Sequence, residues 1–487
     1  IPVGGVQGEL KEKVASGVAW SLAEKVGSTL LQLGVSLVLL RLLGPGCYND
    51  VAMLTAFSVV ALVIVDSGFS QVLIRKAAPR AEDYKSVFVF NLAVAVALYL
   101  LLVAVSPWVA EFYGQPDFRR VAPVFFLLLP MTAFCSVQNT LFARQFRFAL
   151  LSKVTFAATA VSGFAAVALA LSGAGLWSIV AQRVLLVGVR AALLWWISDW
   201  RPRAPFSRAA LREMAPNSFR LMGTDLISAL YTKLPQLFIG RLYAGTNTLA
   251  YFDQAQKLKD SPVTSTVMAV QGVIFPALSK INGNDAKFAE SYRQITMVVS
   301  YAMFPMMLGL SAVAPDLFAL LGEKWMPTVP YFEAICLVGL FYPLAMISLN
   351  VLKVRSDGRI ILRIEVLKKV IMTVIFALTI PRSVMAVVWG LVAISVCEVV
   401  VNFAASRRFT SYGWGGFVRT LLPVAAVSAA MYGGVLLVAA AVPGGPLLRL
   451  MAEVAAGVVI YVVLSALFRL EAFAEVLAIL KKQVARK

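Results

Sequence analysis

The sequence predicts an all-α integral membrane protein of about fourteen transmembrane helices, on three observations. About fourteen apolar stretches are each long enough to cross a bilayer, where a span needs roughly 20 mostly apolar residues for about 30 Å of hydrocarbon. Hydrophobic residues make up 60% of the 487 positions and charged ones only 14%. Lys and Arg gather at alternate connections, the pattern that orients a polytopic chain.

The spans are expected near 14–42, 51–74, 86–110, 121–143, 151–172, 175–198, 217–242, 249–279, 292–314, 329–352, 360–380, 383–405, 417–442 and 447–468. One set of connections holds Arg75, Lys76, Arg80, Lys85, Arg144, Arg147 and Lys153, then Arg201, Arg203, Arg208 and Arg212. The same set continues with Lys280, Lys287, Arg293, Lys353, Arg355, Arg359 and Arg363, and ends with Arg407, Arg408 and Arg419. The opposite set offers Arg41, Arg119, Arg120, Arg241, Lys324, Arg382 and Arg449. This asymmetry predicts both termini in the cytoplasm, and it accounts for the net charge of +19 as topology rather than nucleic-acid binding.

The spans and their tight connections leave no stretch for a separate soluble catalytic domain, so function is expected between helices. Histidine is absent, which excludes a His base, a Ser-His pair and a His-ligated metal. Cys47, Cys135, Cys336 and Cys397 lack CxxC spacing and read as small packing residues. Lys11 and Lys13 precede the first span without a cleavage-site pattern, so no removable signal peptide is expected. No phosphate-binding P-loop pattern occurs, and Gly44-Pro45-Gly46 and Gly173-Ala174-Gly175 read as turns between spans. No cofactor or metal is expected, although coupling to H+, Na+ or the membrane potential is compatible with the fold class.

The organisation reads as a first half over 1–200, an amphipathic linker at 201–216 and a second half over 217–408. Two further spans lie in 409–470, and a basic amphipathic tail occupies 471–487. In the linker Arg208 and Arg212 alternate with Phe206, Leu211 and Met214, the mark of a helix lying on a membrane surface. The tail sets Phe473, Leu477 and Leu480 opposite Glu475, Lys482 and Arg486.

An internal repeat joins the first and seventh spans. Arg41-Leu42 recurs as Arg241-Leu242, and Glu24, Ser28, Gln32 and Ser36 recur as Thr224, Ser228, Thr232 and Gln236. Steps of four residues put each set on one helix face, so two related bundles would turn polar stripes toward a shared interior. Ionisable residues within spans are expensive and mark wet cavities or partners. Lys25 lies on a strip with Ser21, Thr29 and Gln32, where it either holds water against an anionic substrate or snorkels to the membrane edge. Lys233 sits deeper, with Asn217 and Asp225 on its approach. Asp253, Lys257 and Asp260 share a face, which either lines a cavity or neutralises itself, and Pro262 and Pro276 offer kinks in the same span. Asp66, Glu24, Asp225 and Asp253 are the candidate coupling-ion carboxylates, with helix capping the plainer reading of Asp66. Glu365, Lys368 and Lys369 read as a solvated face.

The run VLLRLLGPGCYNDVA at 38–52, Asp66-Ser67-Gly68-Phe69 and Leu73-Ile74-Arg75-Lys76 resemble the opening of a Wzx-type polysaccharide or O-antigen flippase. GAGLWSIVAQ at 173–182, IGRLYAGTNTLAYFDQAQKL at 239–258, FPALSKI at 275–281 and Gly322-Glu323-Lys324-Trp325 resemble later blocks of that family. The likeness spans most of residues 10–410 and is most like the colanic-acid and exopolysaccharide exporter branch. It implies the multidrug/oligosaccharidyl-lipid/polysaccharide exporter (MOP, MATE-like) superfamily: two six-helix lobes in a V, two C-terminal helices and alternating access. It further implies an undecaprenyl-pyrophosphate-linked oligosaccharide, moved from the inner to the outer leaflet of a bacterial inner membrane for exopolysaccharide, lipopolysaccharide or capsule assembly. Polymerase and chain-length proteins of the same pathway would be the partners, beside the bilayer itself. The family's cationic cavity maps to Lys25, Lys233 and Lys257, with Arg41 and Arg241 near the outer mouth and Gln32 and Thr232 on the stripes. A drug or cation antiporter of the superfamily, favouring an acidic cavity, and a membrane glycan polymerase or ligase, needing a long outer loop, are the alternatives.

Overall fold

The computed structural model describes residues 27–145, 147–281, 283–356 and 358–484, and among them every regular element is helical. Contacts divide the chain into two compact units, 1–250 and 251–487.

Unit 1 contains α1 (Gly27–Leu42), α2 (Pro45–Asp66), α3 (Phe69–Arg75), α4 (Ala81–Tyr113), α5 (Pro116–Phe125), α6 (Leu128–Arg144), α7 (Phe148–Leu171), α8 (Leu176–Ile197) and α9 (Arg208–Leu242). Pro45 and Pro116 open α2 and α5 at first-turn positions where a missing N–H does no harm. Gly114, at φ 64°, ends α4 in the left-handed conformation. Gly173 and Gly175, both at positive φ, make the predicted turn between α7 and α8.

Unit 2 holds α10 (Thr248–Lys280), which begins at the boundary, then α11 (Asp285–Ala312), α12 (Ala314–Leu321) and a 3₁₀ turn (Glu323–Thr328). It continues with α13 (Val329–Arg355), α14 (Gly358–Thr379), α15 (Val384–Ser406), α16 (Trp414–Ala441), α17 (Pro446–Leu467) and α18 (Glu471–Val484). Side-chain caps start α11 and α15: Asn284 Oδ1 accepts from the Lys287 N–H at 3.0 Å, and Ser383 Oγ accepts from the Ala386 N–H at 3.0 Å. Tyr292, fully buried, joins three helices by hydrogen bonds between its hydroxyl and Ser348 Oγ (2.7 Å) and Ser406 Oγ (3.2 Å). Asn402 Nδ2 donates to the Ala345 carbonyl at 3.0 Å, locking α15 to α13. Such bonds replace the hydrophobic drive that lipid does not supply between helices.

Ten described helical segments are long and apolar enough to cross a membrane. Their outward faces are greasy: Trp196 is 81% exposed, Leu437 73% and Phe164 73%. Large apolar side chains standing outward on so many helices suit acyl chains, not water. The protein is an all-α multi-pass membrane protein. The predicted spans 217–242, 249–279 and 360–380 fall on the long helices α9, α10 and α14, which carry charged residues along their length, and the first span is described only from Gly27.

Three expectations differ from what is observed. The span expected at 51–74 is two helices, α2 and α3, because Ser67 (φ 49°) and Gly68 (φ 72°) both turn left-handed. A Cβ on Gly68 would lie 2.5 Å from the Ser218 carbonyl oxygen, so the break lets α3 press against α9. The linker expected at 201–216 is not a separate surface helix from 208 onward. Arg208–Leu242 is continuous through Pro216, and Met214 is buried in the cluster of Phe69, Leu73, Tyr84 and Phe88, so packing holds the apolar side of the turn inside the unit. Finally, the face of Glu365 and Lys368 is not fully solvated: Lys368 is 9% exposed, and its ammonium lies 2.5 Å from Glu365. Burial has paired the charge instead of leaving it in water.

Candidate functional site

Unit 1 contains a cavity of about 540 Å³ where α3 and its C-terminal connection meet the start of α9. Val72, Arg75 and Lys76 form one wall; Glu213, Met214, Asn217, Arg220 and Leu221 form the other. The wall of α3 is held rigidly. The Arg144 guanidinium of α6 donates to the carbonyls of Leu73 (2.6 Å), Ile74 (3.0 Å) and Lys76 (2.7 Å), satisfying oxygens that the end of a helix leaves without partners.

The three cations of the cavity differ in state. Lys76 lies 3.1 Å from Asp83 and 3.1 Å from Glu213. Burial works against its ammonium, but hydrogen bonds and charge from Glu213 and Asp83 outweigh that and hold its proton above the usual lysine range. Arg75 and Arg220 are exposed, and among the described residues neither has a carboxylate partner. Asn217, exposed between them, adds neutral donor and acceptor atoms. Two free guanidiniums and an amide around one cavity suit an anion with several oxygens, such as a phosphate.

A polar seam runs from this cavity along α3 and α9. Ser70 Oγ donates to Asp66 Oδ1, and one residue further Gln71 Nε2 donates to Asp225 Oδ2 at 3.0 Å. Two of the predicted carboxylates, Asp66 and Asp225, are thereby linked through adjacent residues of one short helix. Asp66 also ends α2, immediately before the left-handed pair. Further along α9, Thr232 is exposed with its hydroxyl donating to the Ser228 carbonyl at 2.8 Å, Lys233 is half-buried and Gln236 is buried. Arg241 closes the helix with its guanidinium 4.7 Å from the centre of the Phe112 ring. From Arg220 to Arg241 the α-helical rise gives roughly 30 Å, about the thickness of a bilayer's hydrocarbon core. Arg41 and Gln32 are exposed on α1. Glu24 and Lys25 lie outside the described residues.

In unit 2, Lys257 is ion-paired with Asp253 one turn before it, the self-neutralising alternative for that face. Asp253 is buried, with 2% of its side chain exposed, while Lys257 keeps about a third of its surface open. α10 passes through positions 262 and 276 as one helix.

The charge pattern assigns Arg75 and Lys76 to topology, and the cavity they share with Arg220 is not legible in it. The signal was present in two places: Asp66-Ser67-Gly68, which ends one helix and starts another, and the 3–4 residue spacing of Glu213, Asn217 and Arg220. Neither reveals by itself that α3 and α9 are neighbours.

Comparisons with known proteins agree with this architecture. The chain is 27% identical over 313 residues to the succinoglycan biosynthesis transport protein ExoT of Rhizobium meliloti, covering 64% of this chain and 63% of that protein's length. It is 25% identical over 413 residues to the teichuronic acid biosynthesis protein TuaB of Bacillus subtilis, covering 83% of each, and 23% identical over 342 residues to the lipopolysaccharide biosynthesis protein WzxC of Escherichia coli, covering 68% of each. Its fold is similar to that of the lipid II flippase MurJ in an inward closed conformation, with a TM-score of 0.71 at 11% identity over 93% of this chain and 98% of that one. An inward-facing multidrug resistance MATE transporter of the MOP superfamily gives 0.59 at 16% identity over 78% and 94%. The model of the family described as "polysaccharide biosynthesis protein" matches residues 38–330, more than half of the chain, and the protein belongs to that family.

Proposed function

We propose that this protein is a flippase that carries an undecaprenyl-pyrophosphate-linked oligosaccharide from the inner to the outer leaflet of a bacterial inner membrane by alternating access. The observation that carries the reading is the cavity with Arg75 and Arg220 unpaired inside a body whose outer faces are apolar. A pyrophosphate bearing sugars does not cross hydrocarbon unaided, since transfer of such charge is prohibitively costly. A cationic, wet recess supplies the missing solvation while a polyprenyl tail stays in lipid. Family membership and the names of the relatives, among them a transport protein of succinoglycan biosynthesis, support the same reading.

In this mechanism the basic connections face the cytoplasm, so the α3/α9 cavity receives the headgroup from the inner leaflet. Lys233 and Thr232 of α9 and Gln32 of α1 line the route onward, with Arg41 and Arg241 at the outer mouth, and movement along it is linked to H+, Na+ or the membrane potential. A drug-cation antiporter would place unpaired carboxylates where this cavity presents guanidiniums. The test is depletion of the protein in its host followed by leaflet-specific labelling of lipid-linked glycan. Accumulation on the cytoplasmic leaflet is expected; unchanged distribution between leaflets refutes the reading.

A further inference from the structure

The last apolar helix of unit 2 carries a buried charge cluster that no part of the transport path described above uses. Arg449 and Glu453 lie one turn apart on α17, and Asp316 reaches them from α12. The Arg449 guanidinium lies 3.2 Å from Asp316 Oδ1. Glu453 is 1% exposed and Asp316 6% exposed, so both carboxyls are withdrawn from water. Arg449, their cation, keeps 38% of its side chain exposed.

Charge counting sets the protonation state of the cluster. Two carboxylates and one guanidinium leave a net charge of −1 in a setting where isolated charge is strongly disfavoured. One bound proton makes the cluster neutral. A second, independent observation shows where the exchangeable group points. Glu453 lines an apolar groove of about 410 Å³ with Met306, Leu310, Val435, Val454 and Val458, and its Oε2 has no hydrogen-bond partner.

Other ionisable groups on the elements packed against α17 do not neutralise the cluster. They are Arg419 and Tyr432 of α16 and, on α11, Asp285, Lys287, Glu290, Tyr292, Arg293 and Tyr301, the last of these accepting from the Tyr461 hydroxyl through its carbonyl at 2.8 Å. Among the described residues, no ion pair joins any of these groups to Glu453 or Asp316.

We propose that Glu453, Asp316 and Arg449 form a one-proton binding site in the last apolar helix. The proton resides on the carboxyl of Glu453, whose Oε2 lacks a partner beside the groove, and it is released to water as the pH rises. Each cycle switches the wall of the groove between neutral and singly negative. The inference is independent of which lipid the protein moves, so its failure leaves the flippase reading untouched.

The test uses the full chain in lipid nanodiscs, titrated from mildly acidic to mildly alkaline pH while the carbonyl stretch of protonated carboxylic acid is followed by infrared difference spectroscopy. A titrating carboxylic acid band is expected in the wild type, and its amplitude falls by one acid in Glu453→Gln and in Asp316→Asn, each of which leaves one carboxylate facing one guanidinium. Exposed Glu111→Gln retains the signal. Arg449→Gln moves the titration to higher pH, because the carboxyls then lack their cation; a merely structural arginine would not shift it. Thermal stability of the wild type falls as pH rises through the same titration, and Glu453→Gln flattens that dependence. A wild type with no titrating acid, or one whose titration both carboxyl variants leave unchanged, overturns the proposal, and either variant alone suffices if the other does not fold.

Discussion

The two units differ in how they pair their charges. In unit 2, cations meet carboxylates in their own neighbourhood: Lys257 with Asp253, Lys259 with Asp260, Lys368 with Glu365, Arg293 with Glu290 and Glu471, and Arg355 with Asp285. In unit 1, Lys76 takes two carboxylates while Arg75 and Arg220, on the same cavity, take none. A neutralised pair is a packing device with little reach beyond its own contact. An unpaired guanidinium beside a cavity projects a field that draws anions from a distance. The contrast assigns structural work to the first group and ligand work to the second.

The sharpest way to break that contrast is to reverse charge at the cavity. Arg75→Glu combined with Arg220→Glu is expected to abolish delivery of the lipid-linked glycan while the protein still reaches the membrane at wild-type abundance. Single Ala substitutions are expected to weaken it roughly 10- to 100-fold each, from about 1.5–3 kcal/mol per charge-assisted hydrogen bond. Complementation of a depleted host, with abundance measured by immunoblot, reads both. Wild-type delivery by the double variant would place the anion elsewhere.

Lys257 gives the next largest effect, and of the opposite kind. Removing it leaves the Asp253 carboxylate buried without its cation, at a cost of about 3–5 kcal/mol for a fully buried pair and less here because Lys257 is partly open. Lys257→Ala is therefore expected to lower thermal stability, and Lys257→Ala with Asp253→Asn to restore most of it. If the double variant regains stability but still fails to transport, Lys257 touches substrate as well as Asp253, and the division between the units narrows.

Helix existence and type were legible because they follow from apolar length and composition alone, which one chain fully states. The repeat puts Thr224, Ser228, Thr232 and Gln236 on one face of α9, where the first three are exposed and Gln236 is buried. What stayed hidden depends on which helices are neighbours. Nothing in the sequence ties Glu213 to Lys76, 137 residues away, which α9 brings within hydrogen-bond reach. Asp316, on a short helix between spans, had no visible tie to Glu453. The break after Asp66 was signalled by Gly68, but its purpose, room for the Ser218 carbonyl, belongs to tertiary contact.

That break supports a third prediction of intermediate size. Gly68→Ala places a Cβ 2.5 Å from the Ser218 carbonyl in a left-handed backbone, with an expected loss of about 1–3 kcal/mol and a separation of α3 from α9. Because the same helices wall the cavity, transport is expected to fall along with the melting temperature. A variant that is destabilised yet transports normally would show that the cavity tolerates a wider gap than the observed geometry.

The smallest effect is expected where pairing is most visible. Arg293 donates to Glu471 at 2.5 and 2.9 Å and to Glu290 at 2.8 and 3.1 Å, fastening α18 to α11. These contacts sit in water, with 61% of the Glu471 side chain exposed, so screening limits Arg293→Ala to about 1 kcal/mol or less. The Arg293 hydrogen bond, opposed by partial burial and reinforced by charge, holds the Glu471 carboxyl below the usual glutamate range. A depressed carboxyl stabilises the fold when ionised, so this contribution is present near neutral pH and disappears as pH falls through the lowered value. The difference in melting temperature between wild type and Arg293→Ala is thus expected to shrink in acid and in high salt. The Lys76 cluster of unit 1 has the reverse sign, because a raised ammonium loses its contribution as pH rises. Opposite pH slopes in Arg293→Ala and Lys76→Met would separate the tail anchor from the cavity wall; equal slopes would mean that the Lys76 ammonium does not set the pH dependence of its cluster.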